Sequence, residues 1–473
     1  MLILRKIVFY IFVLVYLVLC PLIILYSLGY IFKPEAEEHI VKTGIIYLST
    51  LPAGASIYVN GEVAENTTPA MLDKFLPGEY DIKIFLENYE VWRDTLPVKA
   101  GEATALGKIL LVPRKRKTEA LLAGNFEDLT ALPGTQFLLL AKGASAGDYA
   151  VYDCKGKNKT PLIPAGSQYA DCRILSLFTA RESSSLLGWL VTKDKRELFL
   201  WFSLSGKEPD LSDITDLFPK EPRWVMWDAA DENNIFTFQE NSVNRLDVKA
   251  KALYPGFAQE ARGAGVAEKL VYILAVDNTL SSMNYEKKNV NKILEDKKLA
   301  ASIFGDSGVF RIIPFLKSII LFRGEKDELL ANRLPYRFIE KGVKGIEFDK
   351  PRERVLLWQK DRVGILDFST EVTGDVAFEE GPRLNWIFTG GKNIKEAFWV
   401  YEASHVLFRD GSDVYLIELQ PYGEPHLDRV LRVKEKTAIV YSEETGLLYY
   451  LDASNGSLAS AEIVPGKGGT AKQ

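Results

Sequence analysis

The 473-residue chain holds three histidines, His39, His405 and His426, and three cysteines, Cys20, Cys154 and Cys172. Imidazole and thiolate metal centres need three or four such ligands at set spacings, and acid–base catalysis most often uses histidine. Here the histidines are scattered, with no His-Glu pair at helical spacing and no Cys-x-x-Cys, so no His/Cys metal site is expected. Asp210, Asp213 and Asp216 recur every third residue. On a helical turn they would share a face that attracts a hard cation, but no glycine-containing calcium loop accompanies them, and a solvated insertion is the expected reading. Gly-x-Ser-x-Gly elbows, phosphate-binding Gly-Lys-Ser loops and dinucleotide fingerprints are absent. The sequence therefore predicts no catalytic, cofactor-binding or metal-ligating residue and no cofactor. One enzymatic option stays open, a glycosidase-like pair of carboxylates that only the fold can bring together. Trp386, Phe398, Trp399 and Tyr401 could line a recognition face, although aromatics on strands more often fill a core.

These residues sit in a chain of globular composition, with 47% hydrophobic and 26% charged residues, which excludes collagen, coiled coil and wholesale disorder. Lys and Arg number 58 against 63 Asp and Glu, so the net charge is −5 and a nucleic-acid partner is not expected. From Ile7 to Phe32 there is no charged side chain, and a helix of that length, about 39 Å, crosses a ~30 Å hydrocarbon layer. Arg5 and Lys6 precede it and favour a cytoplasmic tail at residues 1–6, a transmembrane helix at 7–32 and export of the rest. A cleaved signal peptide and a lipoprotein signal ending at Cys20 fit less well, because the apolar run is too long and continues past Cys20. Export would also permit a disulfide between Cys154 and Cys172, the alternative being two unpaired buried thiols.

After a linker at 33–43, residues 44–113 show short alternating strands divided by turn signals. These are Asn60-Gly61, the strongest two-residue hairpin signal, then Pro77-Gly78 and Gly101. The order and spacing of Pro52-Ala53-Gly54-Ala55, Tyr58-Val59-Asn60-Gly61, Thr68-Pro69, Pro77-Gly78-Glu79-Tyr80 and Asn88-Tyr89 resemble a PEGA domain. Ala53 replaces that family's usual Glu, and Asn88 stands where it usually has Gly; Asn tolerates the left-handed conformation such a position needs. The resemblance implies an extracytoplasmic β-sandwich module and carries no catalytic residues. The module reads as a rigid spacer, the other reading being a binding surface for wall polymer or a neighbouring protein. Arg114-Lys115-Arg116-Lys117 begins a basic linker at 114–118 whose charges are expected to be solvated.

From residue 119 to 464 one design repeats: an apolar strand, a polar turn and a second apolar strand. Eight such hairpins have turns near Gly147, Asp194, Asn241, Asp277, Glu325, Asp361, Gly411 and Glu444, a mean period of about 42 residues. That period suits a four-stranded propeller blade, and the span predicts a seven- or eight-bladed β-propeller, with a pair of β-sandwiches as the alternative. It resembles WD-like and quinoprotein-like propellers in general, without their strict signatures; Trp227-Asp228 occurs once, ahead of a strand. Residues 465–473 read as a disordered tail.

The expected protein is thus mainly β: a transmembrane helix, a small sandwich and a propeller. It is single-pass in the cell membrane with its C-terminal bulk outside the cytoplasm. The expected function is a binding or scaffold protein that presents the propeller to an envelope protein or polysaccharide. The alternative is an envelope polysaccharide hydrolase or lyase using paired carboxylates in the propeller funnel.

Overall fold

The computed structural model describes residues 2–32, 40–305, 308–316, 319–332, 337–369, 383–419, 422 and 425–466. His39, most of the 33–43 linker and nearly all of the 465–473 tail lie outside them. The apolar segment forms one helix, Leu2–Ser27, with Pro21 inside it, and Ile7–Ser27 is long and apolar enough to cross a membrane. The helix stops short of the expected Phe32. Gly29 takes the left-handed φ of +82° that helix ends favour, and its carbonyl accepts the Thr43 N–H and hydroxyl, both at 2.8 Å. Tyr30–Phe32 then pairs antiparallel with Ile40–Lys42, so these apolar residues serve a hairpin at the helix end.

The sandwich has two sheets. One orders Ala70–Phe75, Gly44–Leu51 and Ala103–Leu110; the other orders Glu62–Thr67, Ser56–Val59, Gly78–Phe85 and Trp92–Val98. Alternation along these strands puts Ile46, Leu48, Ile57, Ile82, Ile84 and Leu96 in the core with no exposed surface. The Asn60-Gly61 turn has φ of +50° and +88°, the two positive values a type I′ hairpin requires, and Asn88 is left-handed at +68°.

The rest of the chain closes a β-propeller. Among the described residues the ring comprises six four-stranded sheets and one eight-stranded sheet. The eight-stranded sheet is two four-stranded units joined through their first strands, Ala261–Ala267 and Phe310–Pro314, which pair in parallel. Glycine permits that approach: a Cβ on Gly263 would lie 2.6 Å from the Phe310 carbonyl oxygen, and one on Gly265 closer still to that of Ile312. The described residues thus form eight units, each strand pairing with the next in sequence except at the seam. There the chain ends its last unit after three strands, Val440–Ser442, Leu447–Leu451 and Leu458–Glu462, and Thr118–Leu122 supplies the fourth. Part of the expected basic linker therefore belongs to the ring.

Apolar cores lie between neighbouring units and follow one another around the ring. Leu139 and Val151 of the first unit pack with Leu186 and Leu200 of the second. At the seam, Tyr449, Leu451 and Leu458 of the last unit pack with Leu138, Leu140 and Tyr152 of the first. Each sheet buries both faces only because the ring is closed. Seven of the eight hairpins expected from sequence are the second and third strands of a unit. The last, around Glu444, is instead the first and second; the second and third there are Leu447–Leu451 and Leu458–Glu462. The stretch around Asp210 expected as a solvated insertion contains the outer strand Asp210–Asp213, and in the fourth unit the outer strand Asn291–Leu294 is followed by the helix Lys297–Phe304. Arg262, only 5% exposed, closes that helix by donating to the carbonyls of Phe304 and Gly305.

Candidate functional site

Two features converge at the ring face where the first strands of the units end: the docked sandwich and the mouth of the axial channel. Trp92 opens an edge strand of the sandwich and is 6% exposed. Its indole Nε1 donates to Glu418 Oε2 at 3.0 Å, and its ring stacks on the His426 imidazole at 5.5 Å. Leu110 enters a ring core beside Val400, Leu407 and Leu416, while Tyr422 of the ring packs against the sandwich core. Lys108 Nζ meets Glu402 Oε2 at 2.5 Å. The cleft left between the two bodies is about 60 Å³, room for water and not for an organic ligand.

Arg116 departs from its expected solvated state. It is half-buried beside Asp428; burial lowers its pKa, with Asp428 opposing that shift. Burial likewise raises the Asp428 carboxyl, opposed by Arg116 and His426. His405, 2% exposed, shares a 2.8 Å hydrogen bond between Nδ1 and Ser404 Oγ, and burial pulls its pKa down to about 3, so it is neutral.

At the channel mouth, groups from units far apart in sequence meet. Burial pushes the Glu347 carboxyl in the sixth unit up to about 7, opposed by Arg181 of the second unit and reinforced by Glu443 of the eighth. Only a shared axis brings those three units together. Glu347 Oε2 accepts the Trp399 N–H at 3.2 Å. Glu443 accepts from the backbone N–H of Tyr401 and Glu402, at 3.1 and 3.0 Å, and from the Tyr441 hydroxyl at 3.0 Å. Those bonds brace an uncommon loop: Tyr401, Glu402 and Ala403 have φ of +51°, +54° and +55°. For non-glycine residues the left-handed conformation costs about 1–2 kcal/mol each. Arg354 adds a 2.9 Å hydrogen bond to the Ala403 carbonyl. The same loop therefore touches the sandwich through Glu402 and the axis through Glu443. Chemically, Glu347 is partly protonated near neutral pH and can donate as well as accept a hydrogen bond, whereas Glu443 serves as the acceptor that braces the loop.

The structure disperses most residues singled out in the sequence. Asp210 and Asp213 begin and end an outer strand and Asp216 lies in a following 3-10 turn, so they do not share a helical face. Asp213 is tied up by Thr215 and by the Tyr169 hydroxyl, and among the described residues no group of three or more His, Cys, Asp or Glu is placed to hold a metal. Cys154 and Cys172 are free thiols, the second of the two states the sequence left open. The sheet of the first unit separates them: Cys172 packs toward the second unit and Cys154 toward the eighth. Burial raises the Cys154 thiol to about 12. Trp386, Phe398 and Trp399 pack into cores between units, and Tyr401 lies on the braced loop. Asp228 of the lone Trp-Asp pair ties the third unit to the fourth, accepting from the Tyr285 hydroxyl and the Lys269 N–H. Sequence reasoning missed Glu347, Glu443 and Arg181, whose one signal is a charged residue on or just after a short inner strand.

Comparison with known proteins gives three findings. The PEGA domain family matches residues 43–111. No curated protein matches the chain. Among solved structures, the chain is similar to the β-propeller domain of Myceliophteria thermophila Cps50 (Swd1), at 11% identity and a TM-score of 0.35 over 73% of this chain and 100% of that one. It is also similar to the computationally designed Ika8 protein, at 12% identity and a TM-score of 0.44 over 74% of this chain and 100% of that one. The ring described above rests on this chain's own strand order and cores, and the sandwich beneath it carries a PEGA domain.

Proposed function

We propose that this protein is a membrane-anchored scaffold of the cell envelope, which holds its propeller outside the cytoplasm for a protein or glycan partner. The observation that carries this reading is the docking of the sandwich onto the ring. Trp92, Leu110 and Lys108 engage Glu418, a ring core and Glu402, so the ring is held in a set orientation to the sandwich that follows the helix. A PEGA match and an N-terminal apolar helix support an exported, tethered location. The part of the chain from residue 34 has a net charge of −8, which disfavours anionic polymers as the partner.

The hydrolase or lyase reading needs two carboxylates available to substrate. Glu347 offers one, but Glu443 already accepts three hydrogen bonds as a brace. The scaffold reading is tested by placing a cysteine at exposed Lys436 and adding a membrane-impermeant maleimide to intact spheroplasts, followed by in-cell crosslinking. Labelling without permeabilisation and one dominant crosslinked neighbour are expected. Labelling only after lysis contradicts the location, and turnover of wall polysaccharide by the purified protein contradicts the scaffold role.

A further inference from the structure

We propose that the open side of the sandwich receives an extended basic segment of a partner protein as an added strand. This goes beyond the scaffold reading, since it concerns the sandwich and not the ring.

A two-sheet sandwich has two open sides, each bordered by one edge strand from each sheet. The side bordered by Trp92–Val98 and Ala103–Leu110 is covered by the ring. The other is bordered by Glu62–Thr67 and Ala70–Phe75, each an edge with no strand beyond it among the described residues. These two strands diverge from the crossing at Thr68-Pro69, where the Thr68 N–H bonds the Ala55 carbonyl at 2.9 Å and the Gly54 N–H bonds the Thr68 carbonyl at 2.7 Å. Between them lies a slot of about 590 Å³. Its wall includes the half-buried Ala64, Leu72 and Phe75 of the sandwich core, and its rim exposes Val63 and Met71 at 66% and 65%.

Unpaired edges offer rows of backbone donors and acceptors, and natural proteins usually blunt them with lysine or proline. Lys74 of the second edge is turned to the Tyr26 ring, 5.5 Å away, and neither lysine nor proline lines the slot itself; its charged members are Glu62, Glu65 and Asp73. That charge selects the occupant. Anionic lipid headgroups would be repelled by three carboxylates. A second copy pairing edge to edge would bring the same carboxylates face to face. An extended segment alternating apolar and Lys or Arg side chains satisfies the backbone edge, the apolar wall and the acidic rim together. Strand addition draws affinity from main-chain bonds and specificity from alternate side chains.

The test uses the full chain in nanodiscs of neutral lipid and fluorescence anisotropy of three labelled, end-capped peptides. One alternates lysine and valine, one alternates glutamate and valine, and one is the lysine–valine peptide with its backbone amides methylated. The lysine–valine peptide is expected to bind at least tenfold more tightly than either of the others. Glu65→Lys and Asp73→Lys should each weaken it severalfold, while Glu79→Lys, exposed and not among the residues that line the slot, should leave it unchanged. A photoreactive version should crosslink within residues 62–75. Absence of binding, equal binding of the methylated peptide, or equal loss in Glu79→Lys would overturn the proposal. Self-association that the peptide does not inhibit would assign the slot to a second copy, and co-flotation with anionic vesicles lost in Met71→Ser would assign it to the membrane.

Discussion

The two open sides of the sandwich are built from the same material, one edge strand of each sheet, yet they differ in what covers them. On the ring side, Trp92 and Leu110 are buried at 6% and 4% exposure, and a carboxylate, an imidazole and an apolar core receive them. On the far side, Val63 and Met71 face solvent and the charged lining residues are all acidic. Edge strands in equivalent positions thus acquire opposite roles, the apolar pair covered by the following chain and the acidic pair left open. The ring side contributes to stability, and the far side is left able to bind.

Substitutions can break or sharpen this contrast. Trp92→Ala should cost the most, about 3–5 kcal/mol in urea unfolding, because a large buried side chain leaves a cavity at the interface. Leu110→Ala should follow at roughly 2–4 kcal/mol for the same reason. Trp92→Phe keeps an aromatic ring against His426 but removes the donor to Glu418, an expected loss of about 1–3 kcal/mol for a buried acceptor that loses this bond. At the far end of the scale, Val63→Thr and Met71→Ser should change stability by less than about 0.5 kcal/mol. Equal losses on both sides would erase the distinction.

Between those extremes lies a pH effect at the ring face next to the docked sandwich. Glu347 is raised from 4.5 to about 7, so the folded state holds its proton more tightly and stability falls as pH rises from about 4.5 to about 7. His405 is lowered from 6.5 to about 3, so the folded state resists protonation and stability falls as pH drops from about 6.5 to about 3. Between about 4.5 and 6.5 the two slopes oppose each other. Relative to the natural protein, Glu347→Gln should therefore tilt the stability profile upward with pH in that window, and His405→Gln should tilt it downward. Denaturant midpoints measured across the window check both signs.

The ring was legible in the sequence because the second and third strands of each unit are apolar and joined by tight polar turns, as in Leu187 to Leu204. The first strands were not. Trp224–Met226 is only three residues long, too short to show a period, and Val440–Ser442 is legible only as part of the hairpin around Glu444. The closing strand Thr118–Leu122 was hidden behind the basic run at Arg114, since nothing local marks a strand whose partner, Leu458–Glu462, lies more than 300 residues away. The channel mouth was illegible for the same reason: Arg181, Glu347 and Glu443 become neighbours only when the ring closes. Docking residues carried no distinguishing mark, because Trp92 and Leu110 look like any apolar residues of a strand. The state of the cysteines could not be chosen from sequence, because sharing a repeat does not place two residues on the same face of a sheet.

Ring closure by the strand that follows the sandwich is the premise on which the docking, the channel mouth and the covered side all depend. Glu119 and Ser460 are paired residues across that seam. Glu119→Cys with Ser460→Cys, in a chain also carrying Cys154→Ser and Cys172→Ala, tests it directly by oxidation and non-reducing electrophoresis. An intramolecular bond joining the two positions and a raised unfolding midpoint are the predicted result. Failure of the bond to form, or its formation only between separate chains, would contradict the closed ring.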